Sequence, residues 1–141
     1  MRKLTLVAVL AVLGAGLFAT SASAFDHHFS VLGKTTSGKR VGQHKFRFKD
    51  KLLNPRDRSD RVGRDRGVCR QTHHALRCHA VVHLNGKIGG FGDLRLRGAL
   101  GQGDHRVNVT GGTNDFDGAA GKMLIHSLSP KVDKLHFDLT R

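Results

Sequence analysis

The chain has 141 residues, with 24 Lys and Arg against 11 acidic residues and a formal net charge of +13 at pH 7. It contains no Trp or Tyr, and every acidic residue is Asp. The best stacking platforms for sugars and bases are therefore missing, as is Glu, the commonest carboxylate for acid–base work with a raised pKa. This composition argues against a lectin and against an acid–base enzyme.

The N-terminal residues have the order of a secretory signal peptide. Basic residues 2–3 precede an apolar stretch at 4–18, and small residues follow at 22–24. An apolar stretch of about 15 residues is shorter than the roughly 20 that a membrane-spanning helix needs. We therefore expect cleavage after Ala24, secretion to the extracellular space and no transmembrane segment after processing. The remaining residues, 25–141, have the size of one domain.

Apolar and polar side chains alternate with period two through most of that domain, which is typical of half-buried strands. No stretch has the period of a useful amphipathic helix. The Asn-Gly pair at 85–86 predicts a two-residue hairpin turn. Further turns are predicted at 35–40, 54–60, 98–103, 111–118 and 129–133. About eight strands are predicted, near 26–33, 42–50, 62–71, 76–84, 87–97, 104–110, 119–128 and 133–140.

Eight strands without a covering helix favour a closed antiparallel barrel, because closure leaves no sheet edge unpaired. A two-sheet sandwich is the alternative that the pattern leaves open. In a barrel, the apolar positions of the alternating strands would line the interior. The predicted cavity-lining residues are Phe46, Phe48, Leu94, Leu96, Val107, Val109, Leu135 and Phe137.

The two cysteines, Cys69 and Cys78, would meet an oxidising compartment in an exported protein, and their spacing suits a disulfide across one hairpin. Symmetric pairing centres the turn on His73 and His74. Such a bond would stabilise the fold by about 2–3 kcal/mol on the chain-entropy model. A reactive thiol pair is the alternative, although its usual C-x-x-C spacing is absent.

Several stretches of the chain resemble the dirigent and allene oxide cyclase barrel family. They are 46–52, 59–67, 84–88 and 109–121, and they follow the family's order. The Gly-Gly-Thr segment within the last stretch is the most specific. The resemblance covers most of 42–141 and implies an eight-stranded antiparallel barrel with a ligand cavity. It also implies secreted bacterial relatives and, as in plant members, a possible homotrimer.

Two site residues follow from the resemblance. Asp50 takes the place of a cavity residue of the family and is the candidate catalytic residue, and Cys69 takes the place of a cavity cysteine. The catalytic Glu and Tyr of the plant cyclases have no counterpart. The resemblance therefore implies a cofactor-free barrel that holds a small apolar or aromatic ligand without acid–base catalysis. A cyclase or isomerase acting through Asp50 is one alternative, and a purely turn-forming role of Asp50 is another.

Histidine is plentiful, so metal binding needs to be weighed. His79 and His83 share a strand face, which is also what a solvated strand would show. A sharper possibility lies at the processed end, where cleavage after Ala24 would make His27 the third residue. A free amine, two backbone nitrogens and that imidazole can surround Cu(II) or Ni(II) in a square plane.

Basic side chains also alternate along the predicted strands. They predict a cationic exterior that attracts an anionic envelope polymer, lipid head groups or nucleic acid. An ordinary solvated barrel surface is the alternative. The outward basic positions are Lys45, Arg47, Lys49, Arg95, Arg97 and Arg106.

Overall fold

Alternating burial along the chain is realised as one closed barrel of eight antiparallel strands. The computed structural model describes residues 26–100 and 106–141. The strands follow one another around the ring in chain order, and β8 closes it against β1. The predicted barrel is confirmed and the sandwich is not formed. The strands are β1 (Asp26–Arg40), β2 (Lys45–Leu53), β3 (Arg61–Gln71), β4 (Leu76–Asn85), β5 (Phe91–Leu100), β6 (Arg106–Gly112), β7 (Ala120–Ser129) and β8 (Val132–Thr140).

The predicted signal peptide at 1–24 lies outside the described residues, and so does Phe25. Cleavage after Ala24 therefore stays a prediction. Within 26–100 and 106–141, no helix reaches the length and apolar character that a membrane crossing requires. The one helical element in those ranges is a 3-10 turn, Asn114–Phe116, between β6 and β7.

The turn predicted at 35–40 is wrong, because β1 stays extended as far as Arg40. The segment is polar and contains Gly38, which reads as a turn when the chain is considered alone. In the barrel it pairs with β2, from Thr35 opposite Asp50 to Arg40 opposite Phe46. The backbone groups of the segment are satisfied by a strand that comes later in the sequence. A bulge between Thr35 and Ser37 absorbs the irregularity.

The hairpin predicted between β4 and β5 is confirmed, but its two-residue turn is wrong. The connection spans 86–90 and contains three glycines with positive φ, between 76° and 136°. Gly89 lies against the ring of Phe29, where a Cβ atom would overlap the ring. The longer loop thus folds over one end of the barrel and closes it, which a tight turn could not do.

That end of the barrel, here called the closed half, is filled by aromatic side chains. Phe29 and Phe137 stack with their ring centroids 4.8 Å apart, and Phe116 lies 6.3 Å from Phe29. Phe116 belongs to the 3-10 turn and is 1% exposed. Leu84, Leu94 and Leu139 complete the packing as fully buried aliphatic residues. These residues form a packed core, and a cavity lies at the other end of the barrel.

The other end, here called the open half, carries the disulfide. Cys69 on β3 and Cys78 on β4 are direct cross-strand partners and are bonded, as predicted. Beyond them the chain turns at 72–75, where the backbone N–H of Thr72 donates to the carbonyl of Ala75. Both sulfur-bearing residues are buried in the barrel wall. The bond holds β3 to β4 where the lumen is not filled by side chains.

Candidate functional site

The open half of the lumen contains a cavity of about 320 Å³. Small-molecule sites usually span about 300–1,000 Å³, so this cavity lies at the lower end of that range. Its wall is mostly apolar, with one group of polar residues. The apolar part includes Phe46, Phe48, Leu76, Ala80, Leu96, Leu100, Val107, Met123, Ile125, Leu135 and the Cys69–Cys78 disulfide. The polar part includes Thr35, Asp50, Asp65, Asp133 and one basic residue, Arg97.

Five of the eight residues that alternation assigned to the cavity wall lie there: Phe46, Phe48, Leu96, Val107 and Leu135. The other three, Leu94, Val109 and Phe137, are buried among the packed core residues and do not line the cavity. All eight face inward. Alternation distinguishes the inner face of a strand from the outer one, but it carries no information on height along the barrel axis.

Glycine on β3 shapes one wall of the cavity. Gly67 lies opposite Phe48 in the β2–β3 ladder, and a Cβ atom on Gly67 would overlap the Phe48 ring. The missing side chain lets the ring lie flat over the strand. Gly63, Asp65, Gly67 and Cys69 alternate along the same inner face of β3, so Asp65 stands between two small residues. Its carboxyl group is therefore not crowded by neighbours on its own strand.

The polar centre of the cavity is a pair of carboxyl groups. Asp50 on β2 and Asp65 on β3 are direct cross-strand partners, and both face inward. Asp65 is only 5% exposed. One oxygen of each group, Oδ1, is buried and has no hydrogen-bond partner among the described residues. A ligand in the cavity would meet two carboxyl oxygens that the protein itself leaves unpaired.

The environment of the pair favours its protonated forms. Burial raises the pKa of Asp65 to about 7, the nearby negative charge of Asp50 adds to the rise, and a backbone hydrogen bond from Arg66 opposes it. Burial also raises the pKa of Asp50 above its usual 3.8, while a hydrogen bond with Thr35 lowers it and the charge of Asp133 raises it. Near neutral pH, Asp65 is thus present both as an acid and as a carboxylate, so it can donate or accept a proton.

A third carboxyl group, Asp133, lies at the edge of the same cavity. It is the second residue of β8, next to the β7–β8 turn, and the hydroxyl of Ser127 donates to its Oδ1 at 2.6 Å. Asp133 is half-buried, whereas Asp65 is buried. The three carboxyl groups outnumber the one basic residue of the lining, Arg97, so the polar side of the cavity disfavours an anionic ligand.

The sequence pointed to Asp50 but not to Asp65, Asp133 or Thr35. Asp65 stands between Arg64 and Arg66, so it reads as part of a charged surface run. The signal that could have found it is its spacing from Cys69, since two inward residues on one strand are separated by an even number. No comparable signal exists for Asp133 or Thr35, because their proximity to Asp50 depends on strands that are distant in the sequence.

The structure does not assemble the predicted histidines into a metal site. His79 accepts a hydrogen bond from Arg97, and Nδ1 of His83 lies 2.6 Å from a carboxylate oxygen of Asp93. Within the described residues, one group of three possible ligands is close enough to hold an ion, the exposed set Asp26, His28 and Asp138. There His28 already bridges the two carboxylates at 3.0 Å each.

His27 lies in β1 opposite Leu139 of β8, and its Nε2 donates to the carbonyl oxygen of Gly89. The amine that a square-planar Cu(II) or Ni(II) site would use belongs to Phe25, outside the described residues. Wrapping an ion would also require Asp26 and His27 to leave the β1–β8 ladder, which begins at Asp26. The copper or nickel site therefore stays a prediction that competes with this strand pairing.

Comparisons with known proteins place the barrel. No family model and no curated protein sequence match the chain. A pyocyanin demethylase structure matches with a TM-score of 0.62 and 19% identity, over 80% of this chain and 99% of that one. The structure of a pterocarpan synthase dirigent protein matches with a TM-score of 0.67 and 13% identity, over 84% of this chain and 89% of that one. The fold is that of the dirigent and allene oxide cyclase-like barrels.

The resemblance predicted from the Gly-rich segment and its companions is thus confirmed in the fold. Both identities are below 25%, so the likeness describes the architecture and not the chemistry. The arguments for a function must come from the cavity of this chain, and above all from the Asp50–Asp65 pair.

Proposed function

We propose that the open half of the barrel binds a small, largely apolar molecule whose one polar group meets the Asp50–Asp65 pair. The observation that carries this proposal is the pair of buried carboxyl oxygens without hydrogen-bond partners in an otherwise apolar cavity. A buried polar group left unpaired costs about 1–3 kcal/mol, and a ligand that supplies the missing partner recovers that free energy.

The dimensions and lining of the cavity limit the ligand. A cavity of about 150 Å³ can hold one benzene ring, so the 320 Å³ found here suits a molecule of about two rings. Phe46 and Phe48 offer ring faces and edges for stacking. The ligand should be neutral or cationic, because Asp50, Asp65 and Asp133 would repel an anion. A hydroxyl group could donate to the pair, and a carbonyl oxygen could accept from its protonated form.

A second candidate function is proton transfer, favoured by the pKa of Asp65 near 7 beside another carboxyl group. Asp65 as an acid would deliver a proton to one atom of the ligand, and Asp50 as a carboxylate would remove one from another atom. One proton enters and one leaves, so an isomerisation or cyclisation needs no co-reactant. The two similar structures, a pyocyanin demethylase and a pterocarpan synthase dirigent protein, are named for reactions, which supports this candidate.

Secretion belongs to the same proposal. The Cys69–Cys78 disulfide requires an oxidising compartment, and the apolar stretch at 4–18 supplies a route of export. A cavity protein outside the cell would meet diffusible small molecules directly. Mass spectrometry of the exported protein should find Phe25 at its N-terminus, and an uncleaved chain would contradict this part of the proposal.

Binding is tested with three two-ring probes of similar size that carry different polar groups: 2-naphthol, 1,4-naphthoquinone and 2-naphthoate. Calorimetry at pH 7 should show binding of the first two and much weaker binding of the anion. Asp65→Asn should reduce the affinity for naphthol by about tenfold, since a charge-assisted hydrogen bond is worth about 1.5–3 kcal/mol. Asp117→Asn, which changes an exposed carboxyl group, is the matched control. Absence of binding, or equal affinity of both variants, would overturn the proposal.

Proton transfer is tested separately with 2-tetralone, a two-ring ketone with exchangeable protons beside its carbonyl. In deuterated buffer, the protein should accelerate deuterium uptake at those positions, and both Asp50→Asn and Asp65→Asn should abolish the acceleration. If deuterium uptake stayed at the uncatalysed rate while the probes bound normally, the binding function would stand and the proton-transfer function would be rejected.

A further inference from the structure

The outside of the barrel has a strongly charged face that the cavity does not explain. It consists of the outward-facing alternate residues of 45–51 on β2, 64–70 on β3, 77–83 on β4 and 93–97 on β5, here called the cationic wall. These positions carry ten Lys and Arg side chains and one acidic residue, Asp93. Asp93 already contacts His83. The wall thus concentrates positive charge on four neighbouring strands.

Several of these like charges face one another directly across the strands. Lys51 is the cross-strand partner of Arg64, Lys49 of Arg66, and Arg70 of Arg77. Like charges in directly opposite positions destabilise a sheet. Within the described residues, none of the ten basic side chains forms an ion pair with a carboxylate. The fold therefore keeps these repelling cations side by side without pairing them with its own carboxylates.

The opposite side of the barrel shows that the same architecture can neutralise its charges. On β7, β8 and β1, Lys122 is the cross-strand partner of Asp138, a pair of opposite charges. His28 lies 3.0 Å from carboxylate oxygens of both Asp26 and Asp138. The opposite side also carries lysines, but there acidic residues accompany them. The local excess of ten basic residues over one acidic residue on the cationic wall is typical of a binding surface for an anion.

The cationic wall is concave at its centre. A groove of about 520 Å³ crosses β2–β5, with Val68 and Val81 in its floor. The strand register contributes to this shape, because it places Val68 opposite Arg47 of β2 and Val81 opposite Arg95 of β5. Five basic side chains line the groove: Arg47, Lys49, Arg66, Arg95 and Arg97.

We propose that this groove binds a flexible linear polyanion whose charges are phosphate groups. Alternate residues on a strand lie about 7 Å apart and adjacent strands about 4.8 Å apart, so an extended chain with closely spaced phosphates can contact several of the wall's cations at once. Four of the five basic residues are Arg, whose planar fork matches phosphate oxygens bidentately. A partner of this kind would also remove the repulsion between the cross-strand cations.

The observations favour such a polymer over a membrane or a nucleic acid. The exposed large apolar side chains in the described ranges are Val41, Phe91, Leu124 and Leu128, and only Phe91 adjoins the cationic wall, where its ring contacts His83. A membrane-binding face would need several such side chains to enter the bilayer interface. Nucleic-acid bases would find few stacking partners, since the chain lacks Trp and Tyr and the groove offers one aromatic ring, that of Phe48, which also lines the lumen.

The test compares three ligands: long-chain inorganic polyphosphate, a single-stranded oligothymidylate of equal charge, and vesicles containing phosphatidylserine. The protein should bind polyphosphate most tightly, and its affinity should fall steeply with salt. Tighter binding to the oligonucleotide or to the vesicles would overturn the assignment of the partner. Binding that ignores salt would overturn the electrostatic mechanism.

Two triple variants with the same loss of charge locate the site. R66Q/R95Q/R97Q on the cationic wall should lose about 100-fold in polyphosphate affinity at low salt, and its log–log salt slope should fall by about 2. K122Q/K131Q/K134Q, on the opposite side, should change only a few-fold. Equal losses in both variants would show a general charge effect and overturn the proposal. R66K/R95K/R97K should recover part of the affinity, and thermal melting should show that all three variants are folded.

Discussion

The two halves of the lumen are built from the same eight strands, but one is packed with side chains and the other contains a cavity. In the closed half, Phe29 stacks on Phe137 and the 3-10 turn inserts Phe116. In the open half, Asp50 and Asp65 face a cavity of about 320 Å³. Full burial of a large apolar side chain contributes about 1.5–3 kcal/mol, whereas an unpaired buried polar group costs about 1–3 kcal/mol. One half stabilises the barrel, and that stability allows the other half to remain open and partly unsatisfied.

The largest expected effect comes from breaking the closed half. Phe137→Ala should lower the free energy of unfolding by about 3–5 kcal/mol, because it removes a fully buried ring from the aromatic stack. Urea denaturation followed by circular dichroism measures the loss. Phe91→Ala is the matched control, since Phe91 is 49% exposed and should cost well under half as much. Similar losses for the two variants would contradict the division into a packed and an open half.

The next effect concerns the acidic pair in the open half. Because folding raises the pKa of Asp65 from 3.8 to about 7, its contribution to stability is fully present below pH 4 and is lost as the pH rises towards 7. The full shift corresponds to roughly 4 kcal/mol as an upper bound. Asp65→Asn changes the free energy of unfolding at each pH, and this change should be more favourable at pH 8 than at pH 4 by roughly 2–4 kcal/mol.

Denaturation of both proteins at pH 4 and pH 8 checks this prediction. Asp117→Asn, at an exposed site, should leave the pH dependence of the parent protein unchanged. If Asp65→Asn destabilised the barrel equally at both pH values, the carboxyl group would be an ordinary structural residue. If Asp65→Asn raised the free energy of unfolding only at high pH and also weakened probe binding, the Asp65 carboxyl group would lower stability and raise ligand affinity.

The smallest effect distinguishes the two carboxyl groups. The hydrogen bond with Thr35 lowers the pKa of Asp50, so Thr35→Val should raise that pKa further and cost about 1 kcal/mol of stability at pH 8. Carboxyl carbon chemical shifts followed during a pH titration report the change. Thr36→Val is the matched control, because the Thr36 hydroxyl donates to the carbonyl of Lys49 at an exposed position. Equal shifts of the Asp50 titration in both variants would contradict a specific role of Thr35.

Much of the architecture could be predicted without coordinates. Period-two alternation located eight strands and, on β2, β5, β6 and β8, residues that face inward, because the side chains of a strand alternate regardless of which strand lies beside it. The spacing of Cys69 and Cys78 located one hairpin, and the disulfide joins them. Predictions of this kind succeed because they depend on residues that are close together in the sequence.

Only the tertiary structure decided where the cavity lies and which groups meet in it. The register of β2 against β3 places Asp50 opposite Asp65, and β1 brings Thr35 to the same point. Height in the lumen separates Leu96, which lines the cavity, from Leu94, which is packed in the closed half. Alternation within a strand contains neither register nor height, because both arise from the stagger between strands that closes a barrel.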